Sequence, residues 1–310
     1  MILTVTTNSA LDRVLFIERF THGQPMRASK VVDCVGGKGF DVSVTLRGLG
    51  VETVGLGIVA GRRGMDLVNH MKGYGIQLDL VWGTGETRLA HVIVETERHD
   101  HSHIITPPPP VSANQREDIL RLYRLRLATT TYVVIAGSLA PGLPEDFYKT
   151  LIGLAQEAGK PVLVDCHGEL MRQALLAEPT IAKMNRTEFS QTMQVAVDSE
   201  ETLLKEGRAF ANRYPFINLV ITDGKAGIWT FTPNGAFQAV APIQEAVNAA
   251  GAGDAASAAL AWRLSLGESW PEALRWAAAV SAASVLTEAT AEVNQVDVTD
   301  LKPKIIVKAL

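Results

Sequence analysis

Asn248-Ala249-Ala250-Gly251-Ala252-Gly253-Asp254 follows a β-like stretch and runs straight into the alanine-rich segment Ala255 to Leu266. Strand, glycine loop and helix in that order form the building unit of α/β folds, and the loop faces a helix N-terminus. Glycines let backbone N–H groups approach an anion closely, and the positive end of the helix dipole favours negative charge there. An aspartate at that point can accept the proton of an attacking hydroxyl. The same residues also suit a plain helix cap, since Asp is a favoured N-cap and glycine a common turn residue.

Outward from this stretch the alternation repeats. Ile2 to Thr6, Thr53 to Val59, Tyr132 to Ala136, Pro161 to Asp165 and Leu219 to Thr222 are short β-branched runs that read as buried strands. Between them Gln115 to Ala128, Pro144 to Gly159, Ser199 to Arg213 and Asp254 to Leu266 carry apolar residues at helical spacing. The pattern predicts a mostly parallel sheet covered by helices on both faces. Two regions break the rhythm: Arg13 to Glu18 with Ala28 to Cys34, and Arg88 to Glu95 with Ser102 to Thr106, read as paired strands of a small separate sheet. Pro107 to Pro110 is a stiff extended connector. No repeat or domain boundary is legible, so residues 1–310 read as a single domain with excursions near 12–35 and 88–106.

A second glycine cluster, Val35-Gly36-Gly37-Lys38-Gly39, precedes the helical segment Phe40 to Leu49 and adds a lysine charge to its backbone donors; a tight strand-to-helix turn accounts for it equally well. Neither loop is a Walker A sequence, because Gly37-Lys38, Gly159-Lys160 and Gly224-Lys225 are followed by Gly39, Pro161 and Ala226. Gly55-Leu56-Gly57-Ile58-Val59-Ala60-Gly61 is a degenerate dinucleotide fingerprint without the acidic residue that should follow, and reads as structural.

Composition excludes several classes. Lys and Arg number 29 against 33 Asp and Glu, a net charge of −4 spread along the chain, which leaves no electrostatic footprint for nucleic acid. Hydrophobic residues at 47% and charged ones at 20% are ordinary for a folded protein. Cys34 and Cys166 are the two cysteines, too few for a disulfide framework, which points to the cytoplasm. The first strand meets Asn8 and Asp12 too early for a signal peptide, and the apolar-rich run Ala277 to Leu286 is far short of the roughly 20 residues that span a bilayer.

Taken in order, eight stretches resemble the PfkB, or ribokinase-like, carbohydrate kinases over essentially the whole length: Thr7-Asn8-Ser9-Ala10-Leu11-Asp12, Gly36 to Gly39, Gly85-Glu86-Thr87-Arg88, Gly137-Ser138-Leu139-Ala140-Pro141-Gly142, Asp165 with Gly168-Glu169, Lys183-Met184-Asn185-Arg186-Thr187-Glu188, Thr222-Asp223-Gly224 with Gly227, and Gly251 to Asp254. The first, third and fourth look most like the branch of 1-phosphofructokinases and tagatose-6-phosphate kinases. The resemblance implies a three-layer α/β/α fold with a small β-sheet lid, and transfer of the ATP γ-phosphoryl group to a hydroxyl of a sugar or sugar phosphate. It implies Asp254 as catalytic base and the amides of Gly251, Ala252 and Gly253 as an anion hole. Asn185 and Glu188 would support Mg2+ through water, an ion that oxygen ligands suit. Lys183, Thr222, Gly224 and Gly227 would lie along the nucleotide. Asp12, Gly37, Lys38, Asp41, Arg88 and Ser138 would line the acceptor, with Arg88 and Lys38 as phosphate partners and Arg27 a weaker candidate. The lid would exclude water and form a homodimer contact.

The sequence departs from the family at Asp41, where an asparagine is usual: Asp accepts a hydrogen bond but cannot donate one while ionised, and it repels phosphate. Ala249 replaces a usual threonine and Met184 a usual proline, both on the nucleotide side, and Thr106 to Val111 lacks the usual Asn and Gly. A kinase for a non-phosphorylated or amine-bearing sugar, a nucleoside kinase, and a catalytically silent sugar-binding protein are the rival readings. His99, His101 and His103 alternate and would share one face of a strand; a solvated hairpin accounts for them better than a metal site. Trp262, Trp270 and Trp276 read as packing aromatics.

Overall fold

A computed structural model describes residues 1–98 and 100–310, so His99 lies outside the described residues. The strands are β1 (Ile2–Thr6), β2 (Ala10–Ile17), β3 (Lys30–Gly36), β4 (Thr53–Ala60), β5 (Gln77–Gly83), β6 (Arg88–Glu95), β7 (Asp100–Ile105), β8 (Tyr132–Ala136), β9 (Val162–Asp165), β10 (Ile181–Asn185), β11 (Asn218–Thr222), β12 (Ile228–Thr232), β13 (Gly235–Val240) and β14 (Ile306–Ala309). The helices are α1 (Lys38–Gly48), α2 (Gly61–Gly73), α3 (Ala113–Leu127), α4 (Phe147–Glu157), α5 (Gly168–Leu175), α6 (Arg186–Met193), α7 (Glu200–Arg213), α8 (Ala252–Ser265), α9 (Trp270–Ser284) and α10 (Gln295–Leu301).

Ten strands form one sheet in the order β14-β13-β12-β11-β10-β9-β8-β1-β4-β5. From β11 to β5 every pairing is parallel; β12, β13 and β14 add an antiparallel edge. Strands buried on both faces need continuous apolar runs, and β1, β4 and β8 are buried at every position. Helices α3 to α7 cover one face, packing Ile119, Tyr123, Phe147, Leu151 and Phe210 against it, and α1, α8, α9 and α10 cover the other. Each such side chain contributes about 1.5–3 kcal/mol through burial. The fold is ribokinase-like, an α/β/α sandwich with a small accessory sheet.

That accessory sheet has the order β3-β2-β6-β7, in which β2 pairs antiparallel with β3 and parallel with β6. Its inner face carries Val14, Phe16, Cys34, Val92 and Val94, which pack with Ala250 and Ala289 of the main body. Val31 and Ile104 stand exposed on the strands either side.

Helix α8 decides where the chemistry sits. Ala255, Ala256, Ala258, Ala259, Leu260 and Ala261 are all fully buried, so the helix is enclosed on every side by α1, α9 and the sheet. Only small side chains permit that approach, and the cost of a buried helix end is met where its N-terminus opens at the carboxyl ends of the parallel strands. In open α/β sheets that edge is where ligands bind.

The glycines of the degenerate fingerprint are structural. A Cβ at Gly57 would sit 2.4 Å from Phe40 Cζ, so the glycine makes room for a buried aromatic of α1. Trp262 and Trp276 pack edge to face at 5.1 Å with the Arg263 guanidinium stacked over both rings. His101 and His103 stand 5.3 Å apart on β7.

Candidate active site

The loop before α8 meets the carboxyl ends of the parallel strands, among them β9 and β10. Gly251 caps α8 with φ +82°, and a Cβ there would strike the Ala291 backbone nitrogen at 2.5 Å, so only glycine turns the chain into the helix. The turn brings Asp254 into the first turn of α8, where it is buried with its Oδ1 lacking any hydrogen-bond partner. First-turn amides have no intrahelical acceptor. That of Ala252 reaches the Ala249 carbonyl only at 3.5 Å, which leaves it close to free.

Behind Asp254 lies a charge network centred on Asp165. Parallel pairing sets Lys183 of β10 directly beside Asp165 of β9, and neighbouring strands stand about 4.8 Å apart. Lys183 Nζ donates to Asp165 Oδ2 at 2.5 Å, Lys38 Nζ to Oδ1 at 3.1 Å, and Ser257 Oγ to Oδ2 at 3.0 Å. A Cβ at Gly253 would lie 3.4 Å from Lys183 Nζ, so the second glycine of the loop admits the ammonium beneath the helix N-terminus. Burial pushes the Asp165 carboxyl upward, but Lys183 and Lys38 hold it well below the usual carboxylate range. Asp254 answers oppositely: burial, then the Asp165 charge, raise it to about 7 against the pull of Lys38 and Lys183. A carboxylate poised near neutral pH is what a general base requires.

Lys38 faces this network and not the accessory sheet: its Nζ is also 3.5 Å from Glu188 Oε1. Asn185 and Glu188 form a reciprocal capping box at the start of α6, with Asn185 Oδ1 accepting from Glu188 N and Glu188 Oε2 accepting from Asn185 N, both at 2.8 Å. Glu188 Oε1 is left directed at Lys38 and, at 3.4 Å, His167 Nδ1. Among the described residues no three His, Cys, Asp or Glu side chains gather to form a metal cage. Asn185 stands beside Thr222 in the β10–β11 register. Gly224 (φ +50°) opens a short 3₁₀ turn after it, and Gly227 (φ +92°) ends that turn where a Cβ would lie 2.1 Å from the Ala239 carbonyl oxygen. Met184, expected on the nucleotide side, is fully buried in the core beneath that face.

The opposite end is built by the accessory sheet and α1. Glu86 accepts the Arg62 and Arg63 amides at 3.1 and 3.0 Å, and Thr87 Oγ1 accepts the Ala60 amide at 2.8 Å, which fixes the turn before Arg88. Arg88 Nη2 donates to the Asn8 carbonyl at 3.1 Å, and Asn8 Nδ2 to Ser138 Oγ at 3.0 Å. Asp12 and Asp41 are 7% and 4% exposed. Burial raises the Asp12 carboxyl to about 7 although Arg88 opposes it, and burial with the Asp12 and Asp254 charges drives Asp41 well up. Gly37 (φ +97°) turns the chain into α1 where a Cβ would press on Thr6 Cγ2 at 2.9 Å. Arg27 is exposed in the loop between β2 and β3.

Eight buried polar side-chain atoms lack a partner among the described residues, and five belong to Thr6, Asn8, Asp41, Arg88 and Asp254, all of this site. Asn8 Oδ1 is an acceptor, Arg88 Nε a donor, the Thr6 hydroxyl either, and the two aspartate oxygens accept when ionised. Buried groups left unsatisfied cost about 1–3 kcal/mol each, which a polyhydroxylated molecule bearing an anionic group would relieve.

A profile of the pfkB family carbohydrate kinases matches residues 4–296. A Thermotoga maritima structure described as "possible 1-phosphofructokinase" is 27% identical and superposes with a TM-score of 0.90 over 100% of this chain and 99% of that one. Phosphofructokinase-2 of Escherichia coli, solved with potassium, is 21% identical with a TM-score of 0.87 over 97% and 98%. The same enzyme solved with fructose-6-phosphate gives 20% and 0.85 over 97% and 98%. Fold and site define a phosphotransferase with an alcohol group as acceptor. The chain belongs to the pfkB family of carbohydrate kinases.

Asp165 was missed as a site-forming residue by sequence reasoning, which noted it only as part of a motif. Its bonding partners lie 127, 18 and 92 residues away, so no local pattern announces it.

Proposed function

We propose that the chain, as a single kinase domain, transfers the γ-phosphoryl group of ATP to a hydroxyl of a sugar phosphate, with Asp254 as the base. One observation carries this reading: Asp254 lies buried at the N-terminal turn of α8 with a free oxygen and a carboxyl raised to about 7. Asp254 Oδ1 takes the proton of the acceptor hydroxyl as that oxygen bonds to the γ-phosphorus and the bond from phosphorus to the bridging oxygen breaks. The amides of Gly251, Ala252 and Gly253 receive the negative charge on the transferring group, and the helix dipole adds to them. Lys183, held 2.5 Å from Asp165, and Lys38, at 3.1 Å, line the phosphate path from beneath.

Thr222, Gly224 and Gly227 border the nucleotide. Asn185 and Glu188 fit Mg2+ held through water and nucleotide phosphates, because both side chains are partly engaged in their capping box and no protein cage forms among the described residues. When bound, Mg2+ neutralises charge on the phosphates. Asp12, Gly37, Asp41, Arg88 and Ser138 line the acceptor. Lys38, given at first to the acceptor phosphate, belongs with the phosphate path, because Asp165 and Glu188 engage its ammonium; Arg88, with its free Nε, is the acceptor-phosphate partner.

The sheet β3-β2-β6-β7 acts as the lid that keeps water, the competing phosphoryl acceptor, from the site. Exposed Val31 and Ile104 on its strands favour a homodimer through the lid. Two free buried cysteines favour the cytoplasm, and no described helix is long and apolar enough to cross a membrane. The test is ADP release with ATP and Mg2+ across fructose 1-phosphate, fructose 6-phosphate, tagatose 6-phosphate and their free sugars. At least one phosphorylated acceptor is turned over by the wild type and not by Asp254→Ala; Asp254-independent release throughout would overturn the reading.

A further inference from the structure

The charge count at the acceptor end does not suit a plain sugar phosphate. Asp12 reaches the site from β2, Asp41 from the first turn of α1 and Asp254 from α8, and each is at least nine-tenths buried. Lys183 and Lys38 lie behind Asp254, whereas Asp12 and Asp41 are opposed chiefly by Arg88 from β6, whose Nη2 already serves the Asn8 carbonyl. Lys38, which also acts on Asp41, is committed to Asp165 and Glu188. Asp12 is wedged in place: its Oδ1 lies 1.9 Å from where a Gly36 Cβ would be, and Thr290 Oγ1 donates to its Oδ2 at 3.4 Å. Asp41 has no such fixing, and its Oδ1 is without any partner.

A buried carboxylate needs a counter-charge or a proton, and burial raises both Asp12 and Asp41, Asp41 further through the neighbouring Asp12 and Asp254 charges. A ligand that brings its own cation to this spot removes the problem. A hydroxyl facing Asp41 supplies one neutral hydrogen bond, whereas an ammonium supplies a charge-assisted bond and cancels one of the opposed charges, and such bonds are roughly twice as strong. Arg88 Nε meanwhile offers an orphan charged donor, matched to a phosphate oxygen.

We propose that the acceptor is an amino-sugar phosphate, whose protonated amine pairs with Asp41, reinforced by Asp12, and whose phosphate is taken by Arg88. The inference rests on the sugar-phosphate kinase reading and names the substrate class within it. An asparagine at position 41 would accept one hydrogen bond from such an amine but offer it no charge.

The experiment compares acceptors that differ only in NH3+ against OH: 1-amino-1-deoxyfructose 6-phosphate against fructose 6-phosphate, glucosamine 6-phosphate against glucose 6-phosphate, and galactosamine 6-phosphate against galactose 6-phosphate. Binding is measured by calorimetry and turnover as kcat/KM, for the wild type and Asp41→Asn. The wild type favours the amine member of at least one pair by about tenfold or more, and Asp41→Asn brings that ratio to about one or below. Should Asp41→Asn not fold, the wild type still decides: its preference fades as pH rises above the amine's own pKa. Preference for the hydroxyl member in every pair, or an amine preference that Asp41→Asn leaves intact, overturns the proposal and leaves the kinase reading standing. If no phosphorylated sugar of either kind binds or is turned over, the underlying reading falls as well.

Discussion

Replacing Asp165 by asparagine removes one negative charge from a buried network, leaves Lys183 unmatched and leaves Lys38 with Glu188 alone, at 3.5 Å. Lys183 is 2% exposed and has Asp165 as its ion-pair partner at 2.5 Å, so the variant keeps an ammonium buried without compensation. Breaking a buried pair in this way costs about 3–5 kcal/mol. A chain of 310 residues loses about 2 °C of Tm per kcal/mol, which gives a fall of roughly 6–10 °C. The second effect concerns Asp254. Ser257 Oγ is 3.0 Å from Asp165, and Ser257 follows Asp254 by one helical turn, which puts the two carboxyl groups within roughly 8 Å. At an effective dielectric constant of about 20 a unit charge at that distance is worth about 2 kcal/mol, or about 1.5 pH units. The base must be ionised to work, so activity rises with pH through its pKa. Removing Asp165 removes an upward push and frees two lysines to pull down, hence the acid limb of kcat/KM moves from near pH 7 to lower pH. Thermal unfolding and a pH–rate profile check both effects. A Tm within about 2 °C of wild type, together with an acid limb that has not moved, refutes the account of Asp165 as the group that tunes the base.

Asp254→Asn lowers kcat by about 10²–10⁴, the range for loss of a general base. Because the Asp254 carboxyl is raised to about 7, the folded state holds its proton more tightly than the unfolded chain, and stability falls as pH rises from about 4 to about 7. The same variant therefore unfolds at a Tm about 2–4 °C above wild type at pH 8, measured by calorimetry without ligand. Arg88→Ala raises KM for a phosphorylated acceptor about 10- to 100-fold and leaves KM for ATP within about twofold, by initial-rate kinetics. Gly227→Ala forces a Cβ to 2.1 Å from the Ala239 carbonyl at φ +92°, so it destabilises by about 2 kcal/mol or more and raises KM for ATP.

The strands that announced themselves are those with unbroken β-branched runs: Ile2 to Thr6 and Tyr132 to Ala136 match β1 and β8 to the residue. β10 escaped because a buried lysine interrupts Ile181-Ala182-Lys183-Met184-Asn185, and its charge is acceptable only next to Asp165. The alanine-rich surroundings of Trp270 and Trp276 announced a helix where α9 lies, whereas β12 to β14 are short edge elements whose pairing depends on the rest of the sheet. The two hairpin-like regions were legible, but their fusion through the parallel β2–β6 pairing was not, since nothing local specifies a partner some 80 residues away. In the site, the motif order named Asp254, Arg88 and Asp41, whereas the direction in which Lys38 points depended on the three-dimensional arrangement of β9 and α6.

The glycines around this pocket differ in what they leave for descent with modification. At Gly39, Gly57 and Gly251 a single added carbon would collide with backbone or a buried ring at 2.4 to 2.5 Å, so those positions are closed to drift whatever the acceptor. Asp41 and Arg88 instead each keep one polar atom, Oδ1 and Nε, that touches no partner. A lineage that changes its acceptor can therefore do so by exchanging the tips of two side chains on an unyielding frame, one mutation at a time, while the machinery around Asp254 is inherited intact.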